Sequence, residues 1–143
     1  LPHSKLIEGW ERLQKLWDDN ADEMAQLRVE TGALIAATGA SSCLIEPVFY
    51  WPGEHNPLHH HAIETDHMAK LSAAPDSPEA NALVMDLRQK VLDIFEDMGA
   101  AHLQIARTYP LKQSHDTAAW EMLKAIKAEV DPQGMMNPGS LAR

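Results

Sequence analysis

Leu6, Trp10, Leu13 and Trp17 recur at three- and four-residue spacing, with charged residues between them. That period predicts an amphipathic helix over residues 4–18. A second helical pattern follows over 21–37, carried by Met24, Leu27 and Leu34. Gly32 weakens it by ~1 kcal/mol relative to Ala, and "TGASS" (38–42) ends it. "CLIEPVFYW" (43–51) is rich in β-branched and aromatic residues and reads as a strand. Pro47 has no N–H to donate, which puts that strand at a sheet edge or a bulge. "PGEHNP" (52–57) reads as a loop. Residues 58–75 read as loop with a helical turn or two around 63–71.

The strongest helix signal comes next. Ser77 suits a cap, Pro78 the first turn, and Glu79 the positive end of the dipole. Leu83, Leu87, Val91, Ile94 and Met98 keep one face apolar, and Gly99 suits the residue after the helix. "AHLQIARTY" (101–109) reads as a strand ending at Pro110. A last helix is predicted over 117–130, capped by Asp116 or Thr117, with Trp120, Leu123, Ile126 and Val130 inward. Pro132 prevents its continuation.

The order is helix, helix, strand, helix, strand, helix, tail. These segments are too few for a doubly wound sheet. They predict an α+β layer with helices packed on one face of an antiparallel sheet. Two strands make a thin sheet, so its neighbours are expected to be missing or supplied by a partner.

Composition narrows the picture. At 143 residues, 45% of them apolar, the chain has the size of one domain with a real core. The net charge of −9 repels phosphate backbones and offers no basic stripe to anionic lipid, so neither nucleic acid nor membrane is an expected partner. No apolar run is long enough to span a bilayer. The lone cysteine, Cys43, reads as a small buried apolar residue and fits a reducing, cytoplasmic setting.

Two stretches carry candidate chemistry. "EHNPLHHHAIETDHMAKL" (54–71) holds His55, His59, His60, His61 and His67 with Glu64 and Asp66, ligand types that suit zinc, manganese or iron. The spacing matches no strict metal signature, and a solvated polar loop whose histidines satisfy backbone groups is the simpler account. Further on, His102 follows the Gly99-Ala-Ala turn, and Arg107 is a fixed cation able to clamp a carboxylate. In a regular strand those two side chains would point to opposite faces.

The tail "AEVDPQGMMNPGSL" (128–141) resembles the C-terminal signature of FAD-linked oxidases of the vanillyl-alcohol oxidase type. In that family a helix ends at Asp-Pro-x-Gly, two apolar residues follow, and Asn-Pro-Gly closes. Asp131, Pro132, Gly134, Met135, Met136, Asn137, Pro138 and Gly139 stand here in that order. "LDIFEDMGAAHLQIARTYP" is similar to the family's helix and its histidine-bearing, flavin-facing segment. The likeness covers about residues 42–143.

The resemblance implies a ferredoxin-like α+β cap domain that covers a flavin and shapes a substrate pocket. The full-length enzyme would oxidise an alcohol or hydroxy acid by hydride transfer to FAD. His102 would be the base, and Arg107, Tyr50 and Trp51 would bind substrate. Asn137 and Met136 would lie against the cofactor. No glycine-rich pyrophosphate loop stands in these 143 residues, and the first residue is Leu. Both lead to the expectation that 1–143 is the cap portion of a longer chain whose N-terminal FAD-binding domain is its partner. FAD is therefore not expected on this chain alone. The chain carries Ala101-His102-Leu103 where the hydroxy-acid branch has Glu-His-Gly, and Gly99-Ala100 where phenol-oxidising members have Tyr-Arg. The substrate stays open between alcohol and hydroxy acid. The competing readings are an acidic α+β interaction module, joined to a second copy or another protein, and a metal-binding domain built on the His55–His67 cluster.

Overall fold

The structure is a computed structural model. It describes residues 1–71, 74–104 and 111–139. They form a mixed α+β arrangement with one antiparallel hairpin. The elements are α1 (Leu6–Asp19), α2 (Ala21–Leu27), β1 (Glu30–Thr38), β2 (Ser42–Tyr50), α3 (Pro57–Ala62), α4 (Thr65–Met68), α5 (Pro78–Asp97) and α6 (Thr117–Val130). The chain divides into two compact units, one over 2–91 and one over 92–143 together with Leu1.

In the first unit, α1 forms as its periodicity predicts, with Leu13 fully buried. The next helix is shorter than predicted. It stops at Leu27, where Arg28 takes a left-handed φ of 54° and the Val29 N–H returns to the Met24 carbonyl at 2.8 Å. Residues 30–37, expected to be helical, belong instead to strand β1 (Glu30–Thr38). Pairing with β2 in a continuous register from Glu30↔Tyr50 to Thr38↔Ser42 overrides the helix propensity of the alanines. A turn through Gly39, φ 75°, joins the two strands.

One face of the hairpin presents Cys43, Ile45 and Phe49 inward. The Trp17 ring meets Phe49 edge-on, with centroids 5.5 Å apart. Met24, Val29, Ala80, Leu83, Val84 and Leu87 form the core cluster, with Leu16, Leu27 and Phe49 packed against it. This joins α1, α2, the hairpin and the first half of α5. Pro47 lies in β2 with Ala33 as its register partner. At the other end of that strand, Pro2 bridges to Ser42 and the His3 N–H donates to the Ser41 carbonyl at 3.0 Å.

The second unit holds the end of α5 and all of α6, with Phe95, Met98, Leu111 and Trp120 buried. Both predicted helix starts hold. Ser77 Oγ accepts the Ala80 N–H at 3.1 Å and Asp116 Oδ1 the Ala119 N–H at 2.9 Å. The inward face predicted for α6 holds only in part. Trp120 is buried, whereas Ile126 and Val130 are exposed and align with exposed Met122 along the helix. Of the strand predicted over 101–109, residues 101–104 are irregular, and the remainder lies outside the described residues. No helix among the described residues is long and apolar enough to cross a membrane.

Candidate functional site

The C-terminus of α5 positions His102. Gly99 adopts φ 68° and donates to the Glu96 carbonyl at 2.9 Å, while the Ala100 N–H reaches the Phe95 carbonyl at 2.9 Å. This is the paired closure that a left-handed glycine permits at a helix end. It turns the chain sharply and sets His102 three residues on at the rim of a cleft of about 110 Å³. Glu96, Gly99, Ala100, His102, Gln113 and Ser114 line it. Partial burial moves the His102 imidazole below its ordinary value of 6.5, against an opposing pull from the Glu96 carboxylate. The ring is therefore neutral at pH 7, the form that accepts a proton.

Across the cleft, the Ser114 hydroxyl donates to the Leu111 carbonyl at 2.8 Å, and His115 Nδ1 lies 2.9 Å from the same oxygen. A carbonyl only accepts, so His115 carries its proton on Nδ1. Glu96, Gln113 and Ser114 were not read from the sequence as site residues. Only the fold of the α5–α6 connection brings them to His102.

The tail is organised around Asp131. Its carboxylate accepts the Met135 and Met136 N–H groups, both at 2.9 Å, and pairs with Lys127 one turn earlier on α6. Lys127 Nζ also donates to the Met136 carbonyl at 2.7 Å. The lysine bond, chiefly, holds the Asp131 carboxyl below its ordinary value of 3.8. Inside this brace Met135 and Met136 stand 72% and 65% exposed. Asn137 has φ 46°, a left-handed conformation that Asn tolerates better than most residues. A left-handed turn is thus a local reason for an Asn at 137, alongside the cofactor contact that the resemblance implies. Neither Met136 nor Asn137 is among the described residues lining the His102 cleft.

Tyr50 and Trp51, at the end of β2, belong to the first unit and are exposed. The Tyr50 ring lies over Gly32, where an added Cβ would sit 3.7 Å from its Cε2. Arg107 lies outside the described residues. In the histidine segment, the Asn56 side chain accepts the His59 N–H at 3.1 Å, and His59 Nδ1 accepts the Asn56 N–H at 3.1 Å. The His55 ring lies 5.9 Å from that of His59 and 6.1 Å from that of His60. Because His59 accepts at Nδ1, its neutral ring carries the proton on Nε2, so Nε2 has no lone pair for a metal. Among the described residues, no three His, Cys, Asp or Glu side chains gather in a way that could hold a metal ion. The geometry does not favour the metal-binding reading.

Residues 108–141 match the sequence model of a family described as FAD linked oxidases, C-terminal domain. The matched stretch contains Gln113 and Ser114 of the cleft, all of α6 and the Asp131 brace. No curated protein and no solved structure matches the chain.

Proposed function

We propose that this chain is the C-terminal portion of a flavin-dependent oxidoreductase of the vanillyl-alcohol oxidase type, acting on an alcohol or hydroxy acid. The observation that carries the reading is the family match over 108–141. It covers the helix and braced tail of the second unit and includes Gln113 and Ser114 of the His102 cleft.

The residues suit one side of a flavin and not the whole cofactor. Met135 and Met136 offer polarisable apolar contact of the kind a flat heterocycle needs, and Asn137 adds amide donors and an acceptor. The dinucleotide pyrophosphate would be held by a domain outside these 143 residues. FAD, when bound, supplies the acceptor for the hydride that leaves the substrate carbon.

The chain's own residues would do the rest. His102, neutral at working pH, takes the hydroxyl proton on an imidazole nitrogen as the carbonyl forms. Gln113 and Ser114 offer hydrogen bonds that orient the hydroxyl carbon. Arg107 holds a carboxylate where the substrate has one. Exposed Met122, Ile126 and Val130 continue toward the methionines of the tail in sequence. Such a row suits docking on the flavin-binding domain better than open solvent. In the flavin-loaded enzyme, His102→Ala is expected to keep FAD and lose about 10²–10⁴-fold in kcat. Unchanged turnover would remove His102 as the base.

A further inference from the structure

The Asn56–His59 pair closes α3 in a way that an ordinary capping box does not. The usual partner at the third helical position is Glu or Gln, whose oxygen accepts the cap residue's N–H across the neutral pH range. Here the acceptor is His59 Nδ1, 3.1 Å from the Asn56 nitrogen, while the Asn56 side chain accepts the His59 N–H in return. An imidazole accepts only while neutral. Once protonated, both ring nitrogens are donors, and Nδ1–H then faces the Asn56 N–H, donor against donor.

From this geometry we propose that His59 makes the cap of α3 a pH-operated latch, closed with neutral imidazole and open with imidazolium. Histidine is the side chain class whose ordinary charge change falls between about pH 5 and 8, which sets the range to be scanned. Its surroundings add repulsion to the open form. His55 and His60 form a cluster with His59 at ring separations near 6 Å, and protonating all three gathers like charge at one helix end. The charged and titratable groups of the flanking segments are Glu54 on the preceding loop, Asp76 on the loop before α5, and Glu64, Asp66 and His67 around α4, which packs on α3. Asp76 is already engaged, accepting the Glu54 N–H at 2.8 Å. Opening would loosen α3, Pro57–Ala62, while Glu54 stays tied to Asp76. The latch rests on the first unit alone and stands whether or not the chain serves a flavin.

The test is amide exchange in the full chain from pH 8 to pH 5, normalised to intrinsic rates. Exchange at Asn56 and His59 is expected to accelerate roughly fivefold on acidification, as suits the loss of one cap. His59→Gln keeps an acceptor without a titrating ring and is expected to abolish the acceleration. His55→Gln with His60→Gln is expected to retain most of it. The latch is overturned if His59→Gln shows the wild-type pH dependence, or if the double variant loses it while His59 remains.

Discussion

Lys127 and Asp131, one turn apart at the end of α6, clamp the tail from both sides. The carboxylate takes the Met135 and Met136 N–H groups and the ammonium takes the Met136 carbonyl. The Asp131 side chain is only 7% exposed. A helix stop thereby becomes a hydrogen-bonded brace beneath two outward methionines.

Removing the carboxylate should release the brace. Asp131→Ala is expected to lower the melting temperature and to collapse the Met135 and Met136 amide shifts toward random-coil values. Asp131→Asn should fall between it and wild type, since the amide keeps one acceptor oxygen and loses the charge. The pH dependence has a definite sign. A carboxyl held below its ordinary 3.8 in the folded state contributes stability that is fully present above that value. The contribution is lost as pH falls through the lower folded value. Methionine amide shifts followed from pH 6 to pH 2 check this.

Asn137 separates a turn role from a cofactor role. At φ 46°, Asn137→Gly should leave the tail folded. Asn137→Ala should strain it by roughly 1–2 kcal/mol. If the amide also contacts the flavin, Asn137→Gly will lower kcat in the loaded enzyme without lowering the melting temperature. If both stay at wild-type values, the residue serves the turn alone.

Arg28 offers a stabilising change. Its left-handed φ of 54° closes α2 where glycine is the usual occupant. Arg28→Gly is expected to raise unfolding stability by about 0.5–1 kcal/mol. In contrast, Leu87→Ala should lose about 2–5 kcal/mol from the first unit, because Leu87 is fully buried. Urea unfolding at pH 7 measures both.

These same positions mark where sequence reasoning succeeds and where it stops. Helices α1, α5 and α6 were legible because local chemistry and packing agree: Ser77 and Asp116 cap, Gly99 closes, and Leu13, Leu87 and Trp120 are buried where their spacing predicts. β1 was misread because Ala33, Ala36 and Ala37 favour a helix locally, while the decision lies in a long-range register with β2. Thr31, Ile35 and Gly32 were the available warning. Ile126 and Val130 were read inward because periodicity gives a stripe without saying what covers it. Asp131 was read as a stop signal. Its second role depends on Lys127 four residues earlier and on two free N–H groups four and five residues later, a pattern visible in the sequence once it is sought. The lining of the His102 cleft was not legible, since Gln113 and Ser114 return to Glu96 only through the fold.

His102 itself predicts a pH profile. Burial lowers its proton affinity from the ordinary 6.5, so the acid limb of kcat/KM in the loaded enzyme should fall below pH 6.5. His102→Gln should remove that limb along with most of the rate.

The most direct test of the central claim is anaerobic spectroscopy of this chain within a polypeptide that carries the proposed FAD-binding domain. The account predicts one FAD per chain, bleached by an alcohol or 2-hydroxy acid. The His102→Ala variant should stay yellow, and residues 1–143 alone should bind no stoichiometric flavin. Stoichiometric FAD on residues 1–143, or a joined polypeptide whose flavin no alcohol or hydroxy acid reduces, would contradict it.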